Sequence, residues 1–365
     1  MNYQLYNFSI RCVRCGGCTY GDINSDFSPI CPINLKFKFF TYSLGGLRQI
    51  YRGLYEGWIE VDKDLSDLIY SCVTCGACVE MCAEWNFEDP NWVQTEIRKL
   101  CVNKNLSPKP KIYRDRKKDK FWFDEIEVKS IKEDKVEVYF HAGCKLYSKE
   151  DNWKILTNSI KILKKLNINF GILGNEEICC NGKLYELGYI ENFKTSAERF
   201  SKILEDNGIK TIITPCPHCY FTFRKLYSLV GISNFEVYHI SYFLKEILKK
   251  DKLIANKEIK KVTIHDSCYL SRKSDDKFYY QIIREILQNY FEIIEMKRNK
   301  ENSLCCGGGP SAVSNNIKEF TSLSRIQEAE NTKADAIITT CSWCKENLYK
   351  HNKLKAYDLL ELFQI

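Results

Sequence analysis

Apolar and polar positions follow two regimes along this chain. From residue 136 onward, short apolar runs alternate with longer stretches of helical spacing. Val136–His141 (VEVYFH) predicts a buried strand, and Trp153–Leu166, with its spaced Trp, Ile and Leu, predicts a helix. Glu191–Glu205 predicts a second helix, Thr211–Thr214 and Phe235–His239 two strands, and Ser241 a cap for a helix through Leu248. The order then repeats: strand Lys261–His265, helix Phe278–Gln288, strand Phe291–Met296, helix Lys318–Glu330, strand Ala336–Thr339 and a helix containing Leu348. Such alternation argues for parallel α/β units, whose ligands bind beyond the carboxyl ends of the strands. Residues 1–100 read differently, as apolar and aromatic sequence between clusters of cysteine. Residues 101–135, with Pro108, Pro110 and many charges, read as a linker.

The cysteines share the repeat. Cys144, Cys179-Cys180 and Cys216-Pro217-His218-Cys219 are matched by Cys268, Cys305-Cys306 and Cys341-Ser342-Trp343-Cys344, each 124 to 126 residues later. This is an internal duplication. Predicted strands end just before Cys144, Cys216, Cys268 and Cys341, so pattern and chemistry place one thiol-rich site per half. Five thiols exceed the four that a zinc ion or a regular cubane takes. Adjacent cysteines fit one regular cubane poorly, so the surplus points to a distorted cluster or to an iron left open for substrate.

The amino-terminal cysteines carry a second pattern. Cys72, Cys75, Cys78 and Cys82 have the bacterial ferredoxin spacing, and Cys12, Cys15, Cys18 and Cys31 match it apart from an insertion before the fourth. In two-cluster ferredoxins the fourth cysteine ligates the other cluster. The expected sets are therefore Cys12, Cys15, Cys18 and Cys82 for one cubane, and Cys72, Cys75, Cys78 and Cys31 for the other. Gly16, Gly17 and Gly76 suit tight backbone near sulfide. Zinc knuckles are the competing reading, but zinc sites usually pair two distant CxxC units, and here three ligands share one short loop. Cys82 precedes Ala83 where proline is usual.

Bulk properties narrow the setting. The chain has 365 residues, enough for two or three domains, and 19 cysteines, an odd number. It opens MNYQLYNFSIRC, without a basic and apolar leader. A reducing, cytoplasmic interior with metal-bound thiolates is expected, rather than a secreted disulfide scaffold. No apolar run approaches a membrane span, so membrane association would come through a partner subunit. The net charge of +7 is dispersed, its densest run being Lys109–Lys120. Nucleic-acid binding is therefore not expected. No GxGxxG follows a predicted strand, so no flavin or nicotinamide site is expected. Cys101 fits neither motif and reads as a plain half-buried thiol.

The stretches HDSCYLSR (His265–Arg272), CCGGGP (Cys305–Pro310), ITPCPHCYFTF (Ile213–Phe223) and VYHISYFL (Val237–Leu244) resemble the CCG domains of heterodisulfide reductases and related iron–sulfur subunits. The order of a double ferredoxin module and two such domains is similar to the fused catalytic subunit of heterodisulfide reductase. It is also similar to the iron–sulfur subunits of glycolate oxidase and anaerobic glycerol-3-phosphate dehydrogenase. The resemblance implies an α+β chain: a helical two-cluster ferredoxin-like module (1–100), a charged linker (101–135) and duplicated α/β CCG domains with parallel sheets (136–255 and 256–365). It implies two ferredoxin-type 4Fe-4S cubanes and two CCG-bound clusters, understood to be noncubane. Cys144, Cys179, Cys180, Cys216 and Cys219 would hold one of the latter, and Cys268, Cys305, Cys306, Cys341 and Cys344 the other. The implied activity is reduction of a small disulfide or oxidation of thiols, with electrons exchanged with a flavoprotein, a ferredoxin or a membrane quinone or haem subunit. The alternative is an electron relay from a flavin-dependent hydroxyacid or glycerol-3-phosphate dehydrogenase to quinone. Relatives that only pass electrons often lose members of one motif, and all ten cysteines are kept here. The first half departs from the pattern by placing Asn181 before Gly182, which bears on the backbone path at that site. His141, His218, His239 and His265 read as hydrogen-bond donors to sulfur or backbone, Arg272 and Lys183 as pocket candidates, and Trp343 as a shield against water.

Overall fold

The computed structural model describes residues 1–365 except 22–28, 111–127, 149, 175–176, 275–277 and 352. Eleven strands are described: β1 (Lys129–Ser130), β2 (Val138–Phe140), β3 (Phe170–Ile172), β4 (Thr211–Thr214), β5 (Glu236–His239), β6 (Ile254–Ala255), β7 (Lys261–Ile264), β8 (Glu292–Ile293), β9 (Ala336–Thr339), β10 (Lys355–Asp358) and β11 (Phe363–Gln364). One parallel sheet runs β1-β3-β2-β4-β5 and the other β8-β7-β9-β10. With β1 set aside as an extra edge, the two orders are identical. The duplication therefore holds in topology as well as in cysteine spacing. The central strands are Val- and Ile-rich and buried on both faces, as a parallel sheet covered by helices requires. β6 and β11 form a short antiparallel pair that returns the end of the chain to the junction between the halves. One continuous core contains Phe140 and Ile213 of the first half together with Ile264, Ile338 and Leu360 of the second.

The amino-terminal module is helical. Tyr3–Ile10, Leu44–Tyr55, Lys63–Ser71 and Trp92–Asn103 enclose a core of Leu5, Phe8, Leu47, Tyr51, Leu65, Ile69, Val93 and Ile97. Asn2, Ser43 and Asp62 cap the first three of these helices by accepting the amides of Leu5, Gly46 and Leu65. Cys101 is fully buried in this core rather than half buried, and burial pushes its thiol up to about 11. No described helix is long and apolar enough to cross a membrane.

The elements expected at Thr211–Thr214 and Ala336–Thr339 are found with those bounds, and the expected helices end within three residues of their expected termini. Strands β1, β3, β6, β10 and β11 have two to four residues and carried no usable period. In β3 the central Gly171 is demanded by packing, because a Cβ there would meet Ile131 Cγ2 at 2.9 Å and Val136 Cγ2 at 3.0 Å. One expectation is corrected: Ser241 is not the cap. His239 is the N-cap of Ile240–Leu248, and its ring accepts the Ser241 amide. At the margins of the charged segment, the helix Trp92–Asn103 runs past residue 100 and β1 joins the first sheet. Most of the basic run Lys109–Lys120 lies outside the described residues.

Arg98 fastens the helical module to the rest. It is wholly buried, stands over the Tyr70 ring, and donates to the carbonyls of Glu186 (2.7 Å), Cys72 (2.6 Å) and Ile69 (3.2 Å). Arg98→Ala strands the buried Glu186 and Cys72 carbonyls, each worth about 1–3 kcal/mol, while the Ile69 carbonyl keeps the Cys72 amide. The expected loss is about 3–5 kcal/mol, read by denaturant unfolding without oxygen. A loss under about 1 kcal/mol would contradict this role.

Candidate metal centres

The two ferredoxin-type loops are built alike. Gly16 and Gly76 both take positive φ (80° and 76°) and lead into the short helices Gly17–Tyr20 and Ala77–Glu80. Only residues that tolerate the left-handed region turn the chain this tightly. Cys12, Cys15, Cys18 and Cys82 line one cavity together with Gly45 and Arg48. The Gly45 amide donates to Cys18 Sγ at 3.3 Å, and Arg48 Nη1 reaches Cys82 Sγ at 3.9 Å. Arg48 is buried against the Phe8 ring, so a cation faces these sulfurs from an apolar wall. Cys15 is exposed, which brings this group to the molecular surface.

Cys31 lies elsewhere, as the N-cap residue of Pro32–Phe37. Burial pushes its thiol up to about 12, and its charged neighbours are Cys75 and Cys72. Burial and then Cys31, Cys72 and Cys75 likewise push Cys78 up. Cys72 accepts the Thr74 amide at 3.4 Å, and Cys78 accepts Gln94 Nε2 at 3.9 Å. The fold therefore gathers Cys31 with the second loop and Cys82 with the first.

In the duplicated halves the parallel strands bring the cysteines to one sheet end. Neighbouring thiols shift one another's proton affinity in the order Cys144, Cys179, Cys180, Cys219, Cys216. The second half repeats it: Cys268, Cys305, Cys306, Cys344, Cys341. Within each array the sulfurs compete for protons. Hydrogen bonds from both neighbours hold Cys179 and Cys306 well below an ordinary thiol, and the flanking thiols are pushed up. Backbone amides also aim at sulfur: Asn181 to Cys179 at 3.5 Å, Gly307 to Cys305 at 3.3 Å and Gly308 to Cys306 at 3.3 Å.

Asn181 and Gly307 occupy equivalent positions, and both are left-handed, with φ of 59° and 75°. The substitution that broke the sequence pattern therefore keeps the backbone path, since Asn is among the residues that enter this region most readily. Gly182 is fixed by packing, because a Cβ there would lie 2.0 Å from Thr222 Oγ1.

Each half has a strand-end histidine backed by a different charge. His141 Nδ1 lies 3.3 Å from Glu177 Oε1, and that carboxylate also accepts from the Gly143 amide (3.0 Å) and the Tyr147 hydroxyl (2.6 Å). His265 Nδ1 accepts from the wholly buried Arg325 (3.1 Å), and its ring, Cys306 and Cys344 bring ligand atoms within 4.8 Å of one another. The Arg325 bond leaves the His265 proton on Nε2 in the neutral ring, which makes it a donor toward sulfur rather than a metal ligand. His218 lies between Cys180 Sγ (3.9 Å) and Glu186 Oε2 (3.2 Å). His239 faces the Pro215 carbonyl at 3.2 Å, and burial pushes it down to about 4.

Lys183 lines the first-half cavity beside Asn181, Pro310 and Trp343, whereas Arg272 is a buried strut bonded to the carbonyls of Cys75, Glu301 and Ser303. Trp343 stands between two second-half cysteines in sequence yet lines the first-half cavity. Sequence reasoning missed Arg48, Glu177, Glu186, Lys273 and Arg325. Each is a buried charge, and in sequence each looks like an ordinary surface charge. Lys273 at least adjoined a recognised stretch.

Convergent thiols, amide donors and left-handed turns fit inorganic sulfur clusters well. The 4Fe-4S dicluster domain family matches residues 9–85, and the cysteine-rich CCG domain family matches residues 138–224 and 262–349. The chain therefore belongs to the iron–sulfur proteins that join a dicluster module to two CCG domains. It is similar to a subunit of the dihydromethanophenazine:CoB–CoM heterodisulfide reductase from Methanosarcina barkeri, with 28% identity over 92% of this chain and 87% of that one. The corresponding Methanosarcina mazei subunit gives the same identity and coverage. The EtfAB:quinone oxidoreductase of Syntrophomonas wolfei is 27% identical over 76% of this chain but only 43% of its own length. The chain is thus an iron–sulfur protein homologous to oxidoreductases.

Asn181→Gly is expected to keep stability and iron content. Asn181→Val puts a β-branched residue in the left-handed region, at a cost of about 1–2 kcal/mol, and is expected to lower the iron retained. Equal iron content in both variants would show that the turn does not shape the site.

Proposed function

We propose that this chain is an oxidoreductase subunit similar to the heterodisulfide reductase subunit that it matches over most of its length. Cys12, Cys15, Cys18 and Cys82 would hold one 4Fe-4S cubane, and Cys72, Cys75, Cys78 and Cys31 the other. The two five-thiol arrays would each hold a CCG-bound cluster, of noncubane type because five ligands exceed what a cubane accepts. Bound clusters would supply one-electron transfer. The segments 1–100, 136–255 and 256–365 would then act as electron conduit, first array and second array.

The protein's own groups do the rest. Amides and Arg48 stabilise charge on sulfur, and the apolar shell excludes water, both of which set potential. At the arrays a small disulfide takes up two electrons, delivered singly, and two protons. Its S–S bond breaks and two thiols leave. The electrons come from a flavoprotein, a ferredoxin or a membrane quinone or haem subunit. The observation that carries this reading is that both five-thiol arrays are complete and one opens onto a cavity.

A second reading draws on the EtfAB:quinone oxidoreductase likeness, in which the chain only relays electrons from a flavoprotein toward quinone. Reduced methyl viologen separates the two. Under the first reading the holoprotein oxidises viologen when hydroxyethyl disulfide is added, and Cys305→Ala abolishes this while both ferredoxin-type centres remain. Viologen oxidation with a quinone but never with disulfides would favour the relay. Unchanged disulfide activity in Cys305→Ala would refute the catalytic arrays.

A further inference from the structure

Among the described residues six arginines and lysines are buried: Arg48, Arg98, Arg272, Lys273, Arg325 and Lys345. They fall into two groups. Lys273, Arg325 and Lys345 each meet a carboxylate, that of Glu186, Glu328 and Glu361 respectively. Arg48, Arg98 and Arg272 form no ion pair with any carboxylate. Glu84 and Glu80 act on Arg48 and Arg272 only from beyond ion-pair distance.

All three unpaired guanidiniums lie at the ferredoxin-type loops. Arg48 (2% exposed) stands 3.5 Å over the Phe8 ring, donates to the Phe8 carbonyl and brings Nη1 to 3.9 Å from Cys82 Sγ. Arg98 (0% exposed) donates to the Cys72 carbonyl at 2.6 Å. Arg272 (8% exposed) donates from Nε to the Cys75 carbonyl at 3.1 Å, and from Nη1 to the carbonyls of Glu301 (3.0 Å) and Ser303. Each also keeps a buried nitrogen without a hydrogen-bond partner: Nε of Arg48, Nε of Arg98 and Nη2 of Arg272.

A guanidinium does not lose its proton in a protein, so these charges cannot be relieved by neutralisation. Carbonyl oxygens solvate a cation but do not cancel its charge. An ion taken out of water without a counter-charge is strongly unfavourable. The other three buried cations have carboxylates for this purpose. What the ferredoxin-type loops provide in the same place is thiolate.

We infer that Arg48, Arg98 and Arg272 are fixed counter-ions of the two ferredoxin-type centres, and that their charge sets the potential at which each centre takes up an electron. Arg48 serves the Cys12/Cys15/Cys18/Cys82 group, and Arg98 with Arg272 serves the Cys31/Cys72/Cys75/Cys78 group. This deepens the oxidoreductase reading above and rests on it. The unequal numbers follow from solvent. The first group opens to water at the exposed Cys15, and that water shares the compensation with one guanidinium. The second group, with Cys31 and Cys75 buried, has two guanidiniums. One-electron reduction adds one negative charge to a centre, and a buried cation nearby favours it. Removing that cation therefore lowers the potential of its own centre.

The test uses cluster-loaded holoprotein without oxygen, titrated with dithionite in the presence of mediator dyes and followed by paramagnetic resonance. Cys15→Ser marks the signal of the first group. Arg98 also fastens the helical module, so the variants are made at Arg48 and Arg272. Arg272→Gln is expected to disfavour reduction of the second group by about tenfold or more and to leave the first unchanged. Arg48→Gln is expected to do the reverse. Arg272→Lys and Arg48→Lys keep the charge but not the planar fork, and are expected to keep wild-type potentials even where they cost stability. The two positions are independent, so one decides the matter if variants at the other load poorly. An unmoved potential in a loaded glutamine variant, an equal shift of both centres, or a lysine variant that shifts as far as its glutamine counterpart would each overturn the counter-ion assignment while leaving the oxidoreductase reading in place. A wild type without two reducible ferredoxin-type signals would instead bring down that reading itself.

Discussion

Eighteen thiols converge on four places, most of them away from water, and this crowding of sulfur governs the structure. A buried thiolate is costly, and several side by side repel one another. In the bare polypeptide the result is conflict, with Cys31 pushed up to about 12 while Cys179 and Cys306 are driven down by their neighbours. A metal–sulfide core resolves that conflict by giving every sulfur a positive partner. Tight glycine turns, amides aimed at sulfur and a guanidinium beside Cys82 are then consequences of one requirement.

The same requirement explains how the parts are joined. Glu186 is wholly buried, and its carboxylate meets Lys273, His218 and the Tyr269 hydroxyl (2.9 Å). Burial alone would raise its pKa, but Lys273 and His218 hold it well below the ordinary range. Its backbone carbonyl receives Arg98 from the helical module. One residue thus links the ferredoxin-type module to both duplicated halves. Such a node is strongly destabilising to break and specifies one docking geometry.

Much of this was legible in the sequence. Ligand spacing is a covalent constraint, so the ferredoxin loops and the doubled CCG pattern stand out without any structure. The strands ending at Cys216 and Cys341 are continuous buried runs and read cleanly. What could not be read has a common cause. Strands β1, β3, β6, β10 and β11 are too short to show a period, and His239 caps a helix by ring geometry that sequence attributes to Ser241. Lys273 and Glu177 find their partners, and Arg325 finds His265, only after folding. The repeat itself hid one difference, because the equivalent histidines meet an arginine in one half and a glutamate in the other, both from outside the repeated motif.

The central claim is that these sulfur arrays exist to hold iron and sulfide, four clusters to a chain. Protein purified without oxygen should contain about sixteen iron and about sixteen acid-labile sulfide per polypeptide, with a brown colour bleached by dithionite. A colourless protein that carries zinc and no labile sulfide would contradict it.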